Sequence, residues 1–176
     1  MACITLSSGR KLACKGGNGG IKAVSFAPFD PAHPVVGTAG EVASLPAALT
    51  AAYRYELKNT GNNYSEEITA DSDARTVLYT GTLSLVLQKL DVETRNEIKM
   101  LTLGEVVIFI EDNNGAIFVM GFGAGAEVTG GTIVTGGARA DMSGSNLTFT
   151  SLENEPLLFL STAAKTAYQG IVVDGE

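Results

Sequence analysis

Strict alternation of apolar and polar residues marks the middle of this chain. Tyr53, Tyr55 and Leu57 alternate with Arg54, Glu56 and Lys58, the period of a half-buried strand. Residues 59–63 turn the chain, Tyr64 to Ala70 returns, and residues 71–74 turn it again. Arg75 to Leu87 then sets Val77, Tyr79, Gly81, Leu83, Leu85 and Leu87 on one face. Together these segments predict an antiparallel β-meander over 53–87. The period changes at Leu90, because Leu90, Thr94, Ile98 and Leu101 fall on one helical face. A helix is predicted over 91–103, with Asp91 as N-cap, Glu93 at the positive end of the helix dipole and Gly104 as the stop.

From Glu105 to Glu111 the run Val106-Val-Ile-Phe-Ile110 is too continuously apolar for a sheet with one wet face. It predicts a core strand, or a strand whose second face meets another layer. Asp112-Asn-Asn-Gly115 signals a hairpin into residues 116–120. Further strands are expected near 127–135, 140–150, 157–161 and 171–173, completing a C-terminal strand region over 105–176. Before the meander, residues 2–6 and 11–15 read as an N-terminal arm or hairpin within 1–20, and Ile21 to Ala27 as a stronger strand. Residues 28–52 are rich in Pro, Gly and Ala and read as a loop. The whole predicts one mainly β domain, an antiparallel β-sandwich or barrel with one flanking α-helix.

Composition adds a reason to expect assembly. Charged residues make up 18% of the 176 residues, against a usual share of about 25%. So low a share fits a surface that neighbouring copies cover, and apolar edge strands need partners. A homo-oligomer is expected. The net charge of −7 argues against stable nucleic-acid binding, which needs a basic face. The charge is polarised: residues 1–40 hold Arg10, Lys11, Lys15 and Lys22 against Asp30 alone, whereas residues 111–176 hold eight acids against Arg139 and Lys165. No apolar run approaches the ~20 residues of a membrane span, and residues 1–12 lack the apolar core of a secretory leader. No membrane partner is therefore expected, and assembly in a cytoplasm is.

Candidate chemistry is sparse. Gly121-Phe-Gly-Ala-Gly125 follows a strand but lacks nucleotide-loop spacing, and a Val/Thr-rich strand follows it where a helix would be needed. His33, the single histidine, sits between Ala32 and Pro34 and has no arrangement around it for base catalysis. Glu66-Glu67 and Asp71-x-Asp73 lack the terminal glutamate of a calcium loop. Cys3 and Cys14 are read as reduced thiols, and without a Cys/His cluster they make no zinc site. No enzyme, no cofactor and no metal are expected.

Several of these features together resemble the tail tube proteins of tailed phages and related injection machines. They are the segment Tyr53–Leu87, the single helix Asp91–Leu103, and the Gly-rich strand-turn-strand from Glu127 to Thr150. Cys3 to Lys15 with Gly19-Gly-Ile-Lys22, and Thr94 to Lys99, also look like structural proteins of phages that infect Bacteroidetes. The resemblance implies a virion structural protein, the major tail tube protein, assembled in a bacterial host cytoplasm. It implies hexameric rings stacked into a tube, each subunit giving about four strands to an inner barrel and keeping its helix outside. Twenty-four strands at ~4.8 Å and ~40° tilt close a barrel about 45–50 Å across, wide enough for duplex DNA. An acidic lumen would conduct DNA during genome ejection without holding it, so DNA is a transient occupant only. Other tail proteins (tape measure, terminator, baseplate or hub) are the implied partners. Glu56, Glu66 and Glu67 are the candidate lumen-facing acids, although strand alternation prevents Glu66 and Glu67 from both facing inward. Arg10, Lys11, Lys15 and Lys22 are candidates for a ring–ring interface. The alternative reading is a capsid decoration (cement) or head–tail joining protein, which would bind a particle already built.

Overall fold

In chain order the strands and helices are β1 (Ile21–Pro28), β2 (Gly37–Thr38), β3 (Glu41–Val42), β4 (Ala52–Glu56), β5 (Asn63–Asp71), β6 (Thr76–Gln88), α1 (Val92–Leu101), β7 (Val106–Asp112), β8 (Ile117–Met120), β9 (Ala126–Val134), β10 (Gly144–Glu153), β11 (Leu158–Leu160), α2 (Thr162–Ile171) and β12 (Val172–Asp174). The structure is a computed structural model that describes residues 9–11, 15–32, 35, 37–38, 40–58 and 60–175. Most of the expected arm strands, both cysteines and His33 lie outside the described residues.

The apolar run of β7 is the centre of the fold. Along one edge β1 pairs with it antiparallel from Ile21↔Asp112 to Pro28↔Val106. Along the other edge β8 covers Ile108 to Glu111, and β9 takes over at Val106↔Ala126. Outward from β8 lie β11, β3 and β2, and outward from β1 lie β4 and β12. From β9 the sheet continues into a second layer in the order β9-β10-β6-β5, antiparallel throughout. The pairing is antiparallel except for β11 with β3 and β12 with β4.

The two layers face each other. Val24, Phe26, Ile108 and Ile110 of the first pack against Leu83, Leu85, Leu147 and Phe149 of the second. Opposite residues of the same strands, Ala27, Val107 and Phe109, turn the other way into a second core with Val119, Leu158, Leu160 and, from α2, Ala164 and Tyr168. The continuous apolar stretch of β7 is thus explained: one parity meets the second sheet and the other meets α2. The mainly β fold expected from the sequence is found, as one large mixed sheet folded into two layers; it is not wholly antiparallel, it closes no barrel among the described residues, and a second helix stands beside the one predicted.

α1 begins where expected, with the Asp91 carboxylate accepting from the Thr94 amide at 2.7 Å and held below the usual carboxylate range by that bond. It ends at Leu101 with Thr102 as C-cap. Two other expectations are corrected. First, the segment around Tyr53 is not part of a meander. β4 pairs with β1 and β12, leaving β5 and β6 as a two-stranded hairpin. The passage between the layers is fixed by Leu57 N–H to Lys22 O at 3.0 Å and by Asn62, whose side chain accepts from Val86 N–H at 2.7 Å. Second, residues 162–171 form α2, where the sequence suggested only the strands flanking it.

Candidate functional site

Among the described residues the β9-β10-β6-β5 sheet is covered on one face only. Its inner parity carries Tyr64, Leu83, Phe149 and Val128 in register. Its outer parity carries Ser65 and Glu67 on β5, Leu78, Thr80, Thr82, Ser84 and Val86 on β6, Thr148, Thr150 and Leu152 on β10, and Glu127 and Val134 on β9. These residues are half-buried or exposed, as expected for side chains that meet only strand neighbours. Hydroxyls bond along the face, as in Thr129 Oγ1 to Thr150 Oγ1 at 2.8 Å. The ionisable groups of this parity are Glu67, Asp71 and Glu127, and its strands set no Lys or Arg on it.

Both edges of this sheet lack a second strand among the described residues. β5 pairs only with β6, and β9 beyond Ala126 pairs only with β10. Three antiparallel pairings separate the two edge strands, so β5 and β9 run in opposite directions. Rotating copies about a common axis would set the β9 edge of one beside the β5 edge of the next, antiparallel at every junction. A ring of any number of copies satisfies that geometry. The β5–β6 hairpin also outruns the sandwich: Ile68 is 63% exposed, Val77 48% and Leu78 36%.

The candidate acids separate. Glu67 lies exposed on the outer face. Glu66 points the other way and is half-buried, accepting from Leu157 N–H at 3.0 Å and from the Tyr64 hydroxyl at 3.3 Å. Glu56 sits at the end of β4 in the other layer, 3.5 Å from Arg54 with its side chain 82% exposed. Among the candidate cations, Lys22 is drawn into an intrachain cluster, 2.7 Å from Glu111. Glu111 also meets Arg54 at 3.1 Å, and Arg54 reaches Asp174 at 3.4 Å. This cluster ties β1, β4, β7 and β12 together. Arg10, Lys11 and Lys15 are exposed and precede β1.

The loop of residues 121–125 holds a carboxylate, but one of the chain's own. Gly121 and Gly125 adopt positive φ (75° and 80°). That turn points the amides of Phe122, Gly123 and Ala124 at the Glu153 side chain. A Cβ on Gly123 would lie 2.7 Å from Glu153 Oε2, so a side chain there would push the carboxylate away from the amides. Burial pushes the Glu153 carboxyl above its ordinary value, the three amides pull it back down, and Glu66 nearby raises it again. No local pattern singles out Glu153, although the alternation Phe149, Ser151, Glu153 puts it on the inward face.

No group of three or more metal-ligating side chains occurs among the described residues, and none of the described helices is long and apolar enough to cross a membrane. Comparison with protein-family models, with curated proteins and with solved structures returned no match.

Proposed function

We propose that this protein is a structural subunit that builds a tube, the major tail tube protein of a phage virion, and that it is not a catalyst. One observation carries the reading: a four-stranded sheet whose face left bare by the described residues is rich in hydroxyls and carries only acidic charges, and whose two edges, unpaired among those residues, are antiparallel and so mutually complementary. Edge strands of this kind drive association because their backbone donors and acceptors are unpaired. Closing the edges around an axis turns the bare face into a wall, and heterologous contacts that close make rings.

The wall would suit passage of DNA. Duplex DNA carries about one negative charge per 1.7 Å, so a lining with Glu67 and Glu127 and no cation repels it and forms no lasting contact. In this reading the subunits assemble in a bacterial cytoplasm, stack as rings of six, and meet other tail proteins at the ends of the tube. The exposed hairpin tip supports contact with a further subunit or ring.

Electron microscopy of the purified protein tests this directly. Rings or tubes about 45–50 Å across at the barrel wall are expected, and Glu67→Lys with Glu127→Lys should leave them intact while causing them to retain DNA. A protein that stays a monodisperse monomer at high concentration in all salt conditions overturns the reading. Rings that appear only on added capsids would assign it to decoration or head–tail joining.

A further inference from the structure

Between α1 and the first layer runs an apolar groove of about 520 Å³, lined by Phe26, Pro28, Tyr53, Met100, Leu101 and Val106, a size typical of ligand and peptide sites. Its rim is rich in exposed apolar side chains: Tyr53 is 54% exposed, Met100 71%, and Leu103, just past the helix, 75%. α1 itself is held by few contacts, burying only Ile98, with Leu101 packed beside it and the Tyr55 hydroxyl donating to Glu97. The charged residues lining the groove are Glu97 and Glu105, both acidic.

The segment of the chain that matches this chemistry is the one before β1. Residues 1–16 contain Arg10, Lys11 and Lys15 and no acid, and they open with the alternating apolar pair Ile4 and Leu6. Where that segment leaves the domain is fixed. Asn18 N–H donates to Asn114 Oδ1 at 2.9 Å, Asn114 Nδ2 donates back to Asn18 O at 2.7 Å, and Asn113 Nδ2 donates to Gly19 O at 2.8 Å. The exit is therefore pinned to the β7–β8 turn, at the Ile21 end of β1. The groove is at the Pro28 end of the same strand, roughly 25 Å away at ~3.3 Å per residue.

We propose that the N-terminal segment of one copy docks in the α1 groove of the next copy, with Ile4 and Leu6 seated among Phe26, Tyr53 and Met100 and with Arg10 and Lys11 beside Glu97 and Glu105. The inference rests on the tube-subunit reading and names a contact that links successive subunits. Donor and acceptor lie at opposite ends of the domain, so each copy gives one segment and receives one, and the linkage is head-to-tail and open-ended. About fourteen extended residues between Ile4 and Gly17 span up to ~45 Å, enough to cross to a neighbour.

Disulfide trapping tests it. In a Cys14→Ser background, Cys3 is the one native thiol, and Met100→Cys places a second in the groove. Mild oxidation of the assembled protein should give a covalent ladder extending past the dimer, whereas Val92→Cys, on the same helix but outside the groove, should give none. Reversing Arg10 and Lys11 to Glu, or Glu97 and Glu105 to Lys, should each cut the ladder yield about tenfold, as expected for two ion pairs on a partly apolar interface. Combining the reversals should restore it. An intramolecular bridge that shifts the monomer and forms no ladder would show the segment docked on its own chain and overturn the proposal. Tubes that form without a ladder overturn the proposal and leave the tube-subunit reading standing, while a protein that never assembles overturns both.

Discussion

The two layers of this domain are built from similar strands and finished to different degrees. The first layer is covered on both faces, by α2 on one side and the second sheet on the other, and its strand β7 buries Val107 and Phe109 as completely as Ile108 and Ile110. Among the described residues the second layer has one bare face and two open edges, and its hairpin carries apolar residues beyond the sandwich. A chain that closes one layer so thoroughly has the means to close the other. In the function proposed above, this layer, which alternates hydroxyls with core residues and ends in complementary edges, is the one that other copies complete. Folding stability should therefore reside in the first layer and association in the second.

The largest expected effect falls at the meeting of β7 and α2. Phe109 is fully buried, with its ring centroid 5.0 Å from that of Tyr168. Phe109→Ala should cost about 3–5 kcal/mol, read as a lowered midpoint in denaturant. A loss under about 1 kcal/mol would show that α2 is not part of the cooperative core, and would undo the contrast between the layers.

How much of this contrast could be read from the sequence differs element by element. The two covered faces of β7 were legible because an uninterrupted Val-Val-Ile-Phe-Ile run leaves no polar parity to face water. The helix that covers the second face was not legible. In Thr162–Ile171 the buried positions are Ala164 and Tyr168, too small and too few to stand out from Thr, Lys, Gln and Gly around them. The signal that would have found it is Ser161, whose hydroxyl accepts from Ala164 N–H at 3.2 Å as an N-cap. The Tyr53 segment is legible as a strand but its pairing is not, because consecutive strands usually neighbour each other. Here long-range packing decides instead: Tyr55 sits edge-on to Phe26 with ring centroids 5.3 Å apart, and that contact holds β4 beside β1. At the candidate site, alternation told us that Glu66 and Glu67 must separate. Which one turns outward depends on the pairing of Tyr64 with Leu83 across the hairpin, which no local pattern encodes.

A smaller effect is expected where the first layer and α2 share a polar contact. Ser25 is fully buried on β1, and its hydroxyl lies 2.5 Å from that of Tyr168. Tyr168→Phe leaves Ser25 without this partner and should cost about 1–3 kcal/mol. Adding Ser25→Ala should recover part of that loss, since the pair is then replaced by apolar groups. Urea denaturation of both variants checks the non-additivity, and simple addition of the two losses would show that the hydroxyls do not interact.

Within the second layer, Glu153 supplies a pH-dependent term. Its carboxyl holds the proton to higher pH in the folded chain than in the unfolded one, chiefly through burial. The stability that follows is fully present below the unfolded carboxylate value and is lost as pH rises through the folded one. Glu153→Gln removes that dependence. Asp71, Asp91 and Asp141 are shifted the opposite way by backbone amides, but parent and variant share them, so they cancel in the difference. The Tm advantage of the parent over Glu153→Gln should therefore shrink as pH rises above the unfolded carboxylate value. An advantage that grows with pH would mean that the amides of Phe122, Gly123 and Ala124 hold the ionised carboxylate strongly enough to outweigh burial.

The smallest effect on folding is expected at the hairpin tip, and there the comparison between the layers is sharpest. Ile68 is 63% exposed and pairs with Tyr79 across the hairpin, beyond the reach of either core. Ile68→Ser deletes apolar surface that water already touches, so the monomer should lose less than about 0.5 kcal/mol. Association is a different matter. If the tip is buried against another copy, its transfer from water is worth about 1.5–3 kcal/mol per contact, repeated at every subunit of a ring. Sedimentation of Ile68→Ser beside Phe109→Ala then separates the two layers: the core variant should unfold more readily while its folded fraction still assembles, and the tip variant should melt like the parent and fail to form tubes. Should Ile68→Ser instead assemble normally, the exposed tip is not a contact, and the burden of association shifts to the open edges of β5 and β9. Introducing a Lys at Thr132 on β9 would then be the next discriminating change, because a charge beside an unpaired strand edge discourages pairing with another chain without disturbing the bonds to β10.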